Sequence, residues 1–153
     1  MHNSSYLKIY PWKIIEEGFA PDRVKSSESI FSLGNGHMGQ RANFEEHYTG
    51  PSFQGSYIGG VYYPDKTRVG WWKNGYPEYF AKVLNAPNWI GIGVRINGHV
   101  LDLNQCEEIS HFRRELNLKS GVYKRSFEVR IDTTTKIGVT VQRFLSMREG
   151  ALG

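Results

Sequence analysis

The chain has 153 residues, of which 39% are hydrophobic, 14% aromatic and 22% charged. This length suits a single domain with one core, and the composition excludes a disordered or fibrous protein. The formal net charge of +4 could attract nucleic acid, but the densest basic pairs, Arg113-Arg114 and Lys124-Arg125, are short and flanked by glutamates. We therefore expect a solvated surface there and no nucleic-acid partner.

The first third of the chain predicts strands joined by turns. Residues 13–15 fit a first strand, with Trp12 beside them as an anchor in the core. Residues 28–33 fit a second strand, and the Gly-Asn-Gly sequence at 34–36 can reverse the chain into residues 38–44. The pattern predicts a β-hairpin.

The middle of the chain combines a β-rich run with a long loop. Residues 56–63 are rich in β-formers, whereas residues 64–77 contain the glycines and prolines of an exposed loop. Residues 78–84 follow Pro77, which is favoured at the first position of a helix, so we expect a short helical turn there.

The last third repeats a strand-and-turn pattern. Apolar residues alternate before the hairpin dipeptide Asn97-Gly98, and again on both sides of a turn at residues 132–135. The alternating residues are Ile90, Ile92, Val94 and Ile96, then Tyr123, Phe127, Val129 and Ile131, then Ile137, Val139 and Val141. Several short strands without a βαβ pattern predict an all-β antiparallel β-sandwich in one domain, residues 1–153.

The carboxylates do not suggest a catalytic pair. Glycoside cleavage commonly needs two carboxyl groups across the scissile bond, and Glu45-Glu46 is the obvious candidate. Adjacent residues of a strand point to opposite faces, so we expect Glu45, Glu46 and likewise Glu107 and Glu108 to be surface charges. We assign no catalytic residue.

Metal, anion and membrane sites are also not predicted. The histidines at positions 37, 47, 99 and 111 are scattered, so we expect no metal and no cofactor. Residues 34–39 meet the Gly-x-Gly-x-x-Gly spacing, but a β-hairpin turn explains them better than a phosphate loop. The single Cys106 allows no intrachain disulfide and fits a cytoplasmic protein, and no apolar run is long enough for a membrane span.

Aromatic residues in the long loop are the candidate substrate-binding residues. Trp71, Trp72 and Tyr76 offer flat apolar faces that could stack on a sugar ring, with Lys73 and Asn74 available to bond hydroxyls. The same aromatics could instead pack against the sandwich or against another domain. Both interpretations stay open at this point.

Four ordered motifs resemble the N-terminal region of glycoside hydrolase family 65. These are ESIFSLGNGHMGQRANFEE at 28–46, GGVY at 59–62, NAPNW at 85–89 and RELNLKSGVY at 114–123. The family includes maltose, trehalose and kojibiose phosphorylases. His37-Met38 and Gln40 depart from its usual aromatic-aliphatic pair and aliphatic residue, which leaves the subfamily undefined.

The resemblance implies a multidomain enzyme that acts on α-linked glucose disaccharides. Its N-terminal domain is part of a galactose-mutarotase-like supersandwich, and an (α/α) barrel, absent from this chain, holds the active site. There a glutamic acid protonates the glycosidic oxygen while inorganic phosphate, as co-substrate, inverts the anomeric carbon; hydrolytic relatives use water. We therefore expect this chain to end within the first domain and to be inactive alone.

The resemblance also implies an architectural role. In similar enzymes this domain packs against the catalytic barrel, takes part in homodimer contacts and can send loops toward the active site. The alternatives are a carbohydrate-binding module, which would bind free sugar through Trp71 and Trp72, and an independent dimerisation domain. A strand at residues 139–145 would leave a free sheet edge, which predicts a dimer or a strand-exchanged assembly.

Overall fold

The computed structural model describes residues 6–68 and 77–148. Within these residues, one α-helix, α1 (Val24–Ile30), follows a short 3-10 turn at Pro21–Arg23. The strands are β1 (Leu7–Tyr10), β2 (Lys13–Glu17), β3 (Leu33–Gly34), β4 (Met38–Gln40), β5 (Ser56–Ile58), β6 (Tyr62–Lys66), β7 (Tyr79–Val83), β8 (Arg95–Ile96), β9 (His99–Val100), β10 (Ile109–Asn117), β11 (Val122–Arg130) and β12 (Lys136–Arg143).

The largest sheet is antiparallel, in the order β1-β2-β10-β11-β12. Its long strands β10 and β11 alternate buried residues with mostly half-buried ones, as expected for a sheet that packs its core on one face. Short turns connect β1 to β2, β10 to β11 and β11 to β12, whereas the rest of the domain lies between β2 and β10 in sequence. Between β10 and β11, Asn117 Oδ1 accepts the N–H groups of Lys119 and Ser120, and Gly121 takes a φ of 66°.

The core lies on one face of this sheet. Phe112 from β10 and Phe127 and Val129 from β11 pack there against Val24 of α1 and Phe44. A second cluster joins Leu116 and Tyr123 to Phe31 and Ala42. The residues that cover the sheet therefore come from residues 24–31, from the irregular segment 41–48, and from Leu101 and Leu103.

Smaller antiparallel sheets complete the structure. One has the order β3-β4-β5, and the pairs β6-β7 and β8-β9 form separate hairpins. The prediction of an all-β antiparallel β-sandwich is confirmed. The predicted hairpins at residues 34–36 and 97–98, and the turn between residues 131 and 136, are also present.

Several secondary-structure predictions were wrong. Residues 64–66, predicted as the start of the long loop, belong to β6, and of the alternating residues 90, 92, 94 and 96 only Ile96 lies in a strand. Residues 28–30, the first half of the predicted strand, belong to α1, which buries Val24, Ser27 and Glu28 on one side, a helical rather than an alternating pattern. Residues 79–83 form β7 rather than a helical turn, because they pair along their whole length with β6.

Trp12 is not a core anchor. It lies in the two-residue turn between β1 and β2 and is 61% exposed. The two central positions of a tight turn point away from the sheet face, so burial is not available to its side chain there.

Candidate binding surface

The β6–β7 hairpin concentrates several exposed apolar side chains in one place. The strands pair in register from Tyr62 with Val83 to Lys66 with Tyr79, and all their residues except Asp65 are exposed. Asp65 and Lys82 form an ion pair across the hairpin. Since a lone two-stranded ribbon is marginally stable in water, the hairpin would gain from a partner surface.

Four aromatic side chains make the hairpin apolar. Tyr62, Tyr63, Tyr79 and Phe80 are between 44% and 56% exposed. The register places Tyr62 and Tyr79 on one face and Tyr63 and Phe80 on the other. Sequence reasoning did not identify this set, because residues 78–84 were interpreted as helical; the alternation of Tyr79, Ala81 and Val83 was the available signal.

The tip of the hairpin leads into the candidate aromatic loop. Thr67 is buried at this tip. Its N–H donates to Glu78 O at 2.9 Å, and its hydroxyl donates to Pro77 O at 2.5 Å. This Thr67 clasp brings the two ends of the loop together. Trp71, Trp72 and Tyr76, the predicted substrate-binding residues, lie outside the described residues, so their role stays a prediction.

The glycine-rich segment is a hairpin turn next to the root of β6. Asn35 Oδ1 accepts the N–H groups of His37 and Met38 at 3.0 and 2.8 Å, and Gly36 adopts a φ of 86°. A groove of about 220 Å³ lies beside the turn, lined also by Tyr57, Tyr62 and Val83. The segment enters a strand rather than a helix, as expected, so it lacks the geometry of a dinucleotide loop.

Glu45 and Glu46 do converge, which corrects the prediction that they are surface charges. The guanidinium of Arg125 donates to Glu46 Oε1 at 2.6 Å and to Glu45 Oε2 at 2.8 Å, and Arg143 Nε lies 2.6 Å from Glu45 Oε1. The strand argument failed because residues 45 and 46 lie in an irregular segment, where neighbouring side chains need not alternate.

The same cluster buries two arginines that were expected on a solvated surface. Arg114 and Arg125 are fully buried, and both guanidinium groups face the ring of Phe44, at 4.9 and 4.6 Å from its centre. Arg114 Nε lies 3.6 Å from Glu16 Oε2. We refer to Arg114, Arg125, Arg143, Glu16, Glu45 and Glu46 as the Arg–Glu cluster.

The Arg–Glu cluster has the features of a structural contact rather than of a reactive site. Burial alone would lower the pKa of Arg125, but the hydrogen bond and charge of Glu46 raise it above its usual range, so the guanidinium stays charged. Three cations face three carboxylates in a buried position. The cluster ties the segment 41–48 to the sheet.

Other reactive groups are sparse in the described part of the chain. Residues 6–68 and 77–148 contain no group of three or more His, Cys, Asp or Glu side chains that could hold a metal ion. Burial raises the pKa of the Cys106 thiol, which lies 3.1 Å from Asp102 O. None of the described helices has the length and hydropathy to span a bilayer.

Comparison with known proteins identifies the domain. The sequence profile described as glycosyl hydrolase family 65, N-terminal domain, matches residues 14–153. The chain belongs to this family. Family 65 membership agrees with the all-β fold and with the ordered motifs at residues 28–46 and 114–123.

Several curated relatives of this family 65 domain are disaccharide phosphorylases by name. The chain is 51% identical to maltose phosphorylase of Bacillus subtilis over 147 residues, which are 96% of this chain and 19% of that protein. It is 34% identical to α,α-trehalose phosphorylase of Thermoanaerobacter brockii, over 96% of this chain and 20% of that protein. Kojibiose phosphorylase of Halothermothrix orenii is 33% identical, over 89% of this chain and 16% of that protein.

A solved structure extends the comparison to the fold. A human-microbiome protein provisionally named as a kojibiose phosphorylase superimposes with a TM-score of 0.81 and 35% sequence identity, over 93% of this chain and 19% of that chain. The chain therefore spans about one fifth of the length of the proteins that it matches.

Proposed function

We propose that this chain is the noncatalytic N-terminal domain of a family 65 enzyme acting on α-linked glucose disaccharides, with inorganic phosphate as the co-substrate of the whole enzyme. The observation that carries the proposal is the 51% identity to maltose phosphorylase of Bacillus subtilis over nearly the whole chain. The chain needs no cofactor of its own, and it works in the cytoplasm.

The noncatalytic role is supported by the state of the described carboxylates. Glu45 and Glu46, the adjacent pair that best resembles a catalytic dyad in sequence, are buried against Arg125 and lack access to a substrate. The exposed carboxylates Glu17, Glu108 and Glu128 have pKa values lowered by hydrogen bonds from neighbouring basic side chains, the opposite of what a general acid requires.

The architectural role belongs to the β6–β7 hairpin and the loop beyond it. The hairpin exposes aromatic side chains on both faces and has few contacts of its own with the sandwich, so a second surface must cover them. We assign that surface to the catalytic barrel. Trp71, Trp72 and Tyr76 would then lie at the mouth of the active site and contribute to its gating. A different surface of this domain would form the homodimer contacts.

The domain's place in an enzyme is tested with a chimera. This chain would replace the corresponding N-terminal segment of Bacillus subtilis maltose phosphorylase, and we expect the chimera to release glucose 1-phosphate from maltose and phosphate. The matched control is the same enzyme with that segment deleted, which we expect to be inactive. A chimera that folds but lacks activity would contradict the proposal, as would glucose 1-phosphate formed by this chain alone.

A carbohydrate-binding module is the alternative, favoured by the concentration of exposed aromatics near the loop. Calorimetric titration of the isolated chain with maltose, trehalose, kojibiose and nigerose, with and without phosphate, separates the two functions. We expect no heat of binding from the folded chain. Saturable heat that is lost when Trp71 and Trp72 are both replaced by Ala would support the binding module instead.

A further inference from the structure

Asparagine followed by glycine occurs three times in the chain, at residues 35–36, 74–75 and 97–98. This dipeptide is chemically labile, because glycine has no side chain to keep its backbone nitrogen away from the preceding side-chain amide. Residues 74–75 lie outside the described residues. The other two pairs both lie in turns, so the surroundings of their amide groups can be compared directly.

The side chain of Asn35 is held by its own turn. Its Oδ1 accepts the N–H groups of His37 and Met38, and its Nδ2 donates to Ser146 O at 2.8 Å. These bonds direct the half-buried amide toward residues 37 and 38 rather than toward the nitrogen of Gly36. A reaction between Asn35 and Gly36 would first have to break them.

The side chain of Asn97 is held less firmly. Asn97 and Gly98 form the exposed two-residue turn between β8 and β9, with φ values of 49° and 81°. Nδ2 of Asn97 donates to Asp132 Oδ2 at 3.2 Å and to Thr135 Oγ1 at 3.1 Å, both at the long end of the hydrogen-bond range. Among the described residues, neither Asn97 Oδ1 nor the Gly98 N–H has a hydrogen-bond partner.

Deamidation joins the backbone nitrogen of Gly98 to Cγ of Asn97. The glycine N–H loses its proton to solvent, the N–Cγ bond forms, and the Cγ–Nδ2 bond breaks as Nδ2 takes up a proton and leaves as ammonia. Water then opens the cyclic imide. Cleavage between the nitrogen and Cγ gives aspartate, and cleavage between the nitrogen and the backbone carbonyl carbon gives isoaspartate. The net reaction consumes water and releases ammonia.

Either product would disturb the contact between two turns. The side chain of Asn97 joins the tip of the β8–β9 hairpin to the turn between β11 and β12, where Asp132 and Thr135 lie. A carboxylate at position 97 cannot donate to Asp132, and it would place a second negative charge within hydrogen-bond distance of the first. Isoaspartate would also lengthen the backbone of a turn that has room for two residues.

We propose that Asn97 is a site of spontaneous deamidation, and that its conversion releases the tip of the β8–β9 hairpin from the turn at residues 132–135. The two Asn-Gly pairs of the described residues have the same local sequence chemistry but different restraint, so the fold selects which of them reacts. This inference concerns the chain itself and is independent of the enzymatic assignment.

Peptide mapping by mass spectrometry tests the site, with Asn35 as the control within the same molecule. After incubation of the folded chain at mildly alkaline pH, we expect conversion at Asn97 to be about fivefold or more faster than at Asn35, which has one more hydrogen bond and is half-buried. In urea, where the fold is lost, the two rates should become similar. Equal rates in the folded chain would overturn the proposal, as would conversion of Asn97 in urea alone.

A charge-exchange pair tests the release of the hairpin. Asn97→Asp reproduces the aspartate product, and we expect it to raise amide hydrogen exchange at residues 96–101 about threefold, as measured by NMR. Adding Asp132→Asn restores a donor and an acceptor at the contact with their places exchanged, and exchange should return toward that of the unaltered chain. Exchange that Asn97→Asp leaves unchanged, or that Asp132→Asn fails to restore, would show that this contact does not hold the hairpin tip.

Discussion

The side chain of Arg125 is fully buried against that of Glu46, with Nη1 2.6 Å from Oε1. Arg125 lies on the central part of β11, whereas Glu46 lies in the irregular segment that covers the sheet. The pair thus joins the two layers of the domain through charge as well as through apolar packing. Removing one partner of this pair would leave the other charge buried without compensation, which destabilises the folded state.

Replacing Arg125 with Met should strongly destabilise the domain. The change leaves the Glu46 carboxylate buried without its cation, and breaking one partner of such a pair commonly costs about 3–5 kcal/mol. Urea unfolding followed by circular dichroism measures the loss. The control is Arg113→Met, which removes partly exposed pairs with Glu17 and Glu115 and should cost no more than about 1 kcal/mol. Equal losses for the two variants would mean that the Arg–Glu cluster does not hold the layers together.

The turn between β3 and β4 should tolerate alanine at one glycine but not at another. Gly36 has a φ of 86° and open space around it, so Gly36→Ala should cost about 1–2 kcal/mol through backbone strain alone. Gly39 lies in β4, and an added Cβ there would meet neighbours at an ordinary 3.9 Å. Gly39→Ala should therefore be nearly neutral in thermal unfolding. A reversed order would contradict the assigned turn geometry.

The carboxyl group of Asp132 should titrate well below its usual range. The backbone N–H of Thr134 and then the side chain of Asn97 lower its pKa. A group with a lowered folded-state pKa adds stability above its unfolded-state pKa, and that stability is lost as the pH falls through the folded value. Asn97→Gly keeps the positive φ of 49° accessible while removing the amide, so it should raise the pKa of Asp132. Carbon-detected NMR titration measures the pKa of Asp132 in the unaltered chain and in Asn97→Gly, and an unchanged pKa would rule out the Asn97 contribution.

The aromatic hairpin should matter only where a second domain is present. In the isolated chain, Tyr63→Ser combined with Tyr79→Ser should leave thermal stability nearly unchanged, because both side chains are more than half exposed. In the chimera with maltose phosphorylase, the same change should lower the unfolding temperature and the activity, since the hairpin would then be buried. Differential scanning calorimetry of both proteins makes the comparison. Equal effects in the two contexts would contradict the assignment of the hairpin to the barrel.

The long strands of the sheet were predictable from sequence, and the covering layer was not. Apolar alternation around Phe127, Val129 and Val139 reports a sheet with one wet face, a signal that needs no knowledge of the partner layer. In the covering layer, α1 has only seven residues and three serines, so its helical pattern is too short to be distinguished from a strand. Pro21 and Asp22 before it were the available helix-start signal.

The candidate site was predictable only in part, for a different reason. Burial of Arg125 depends on Glu45 and Glu46, which are about 80 residues away in sequence, and local patterns contain no information on such pairings. Which aromatic residues of β6 and β7 share a face likewise becomes clear only once the two strands are paired. The family resemblance, in contrast, needed only ordered motifs, and it gave the correct family.

The Thr67 clasp should allow the loop between Thr67 and Pro77 to be replaced by other sequences. Its hydrogen bonds to Pro77 and Glu78 join the two strands one step beyond the last strand pair, Lys66 with Tyr79. Each doubling of a closed loop's length costs only about 0.6 kcal/mol of entropy. Segments of other lengths and compositions should therefore be accepted between Thr67 and Pro77 without loss of the pairing between β6 and β7.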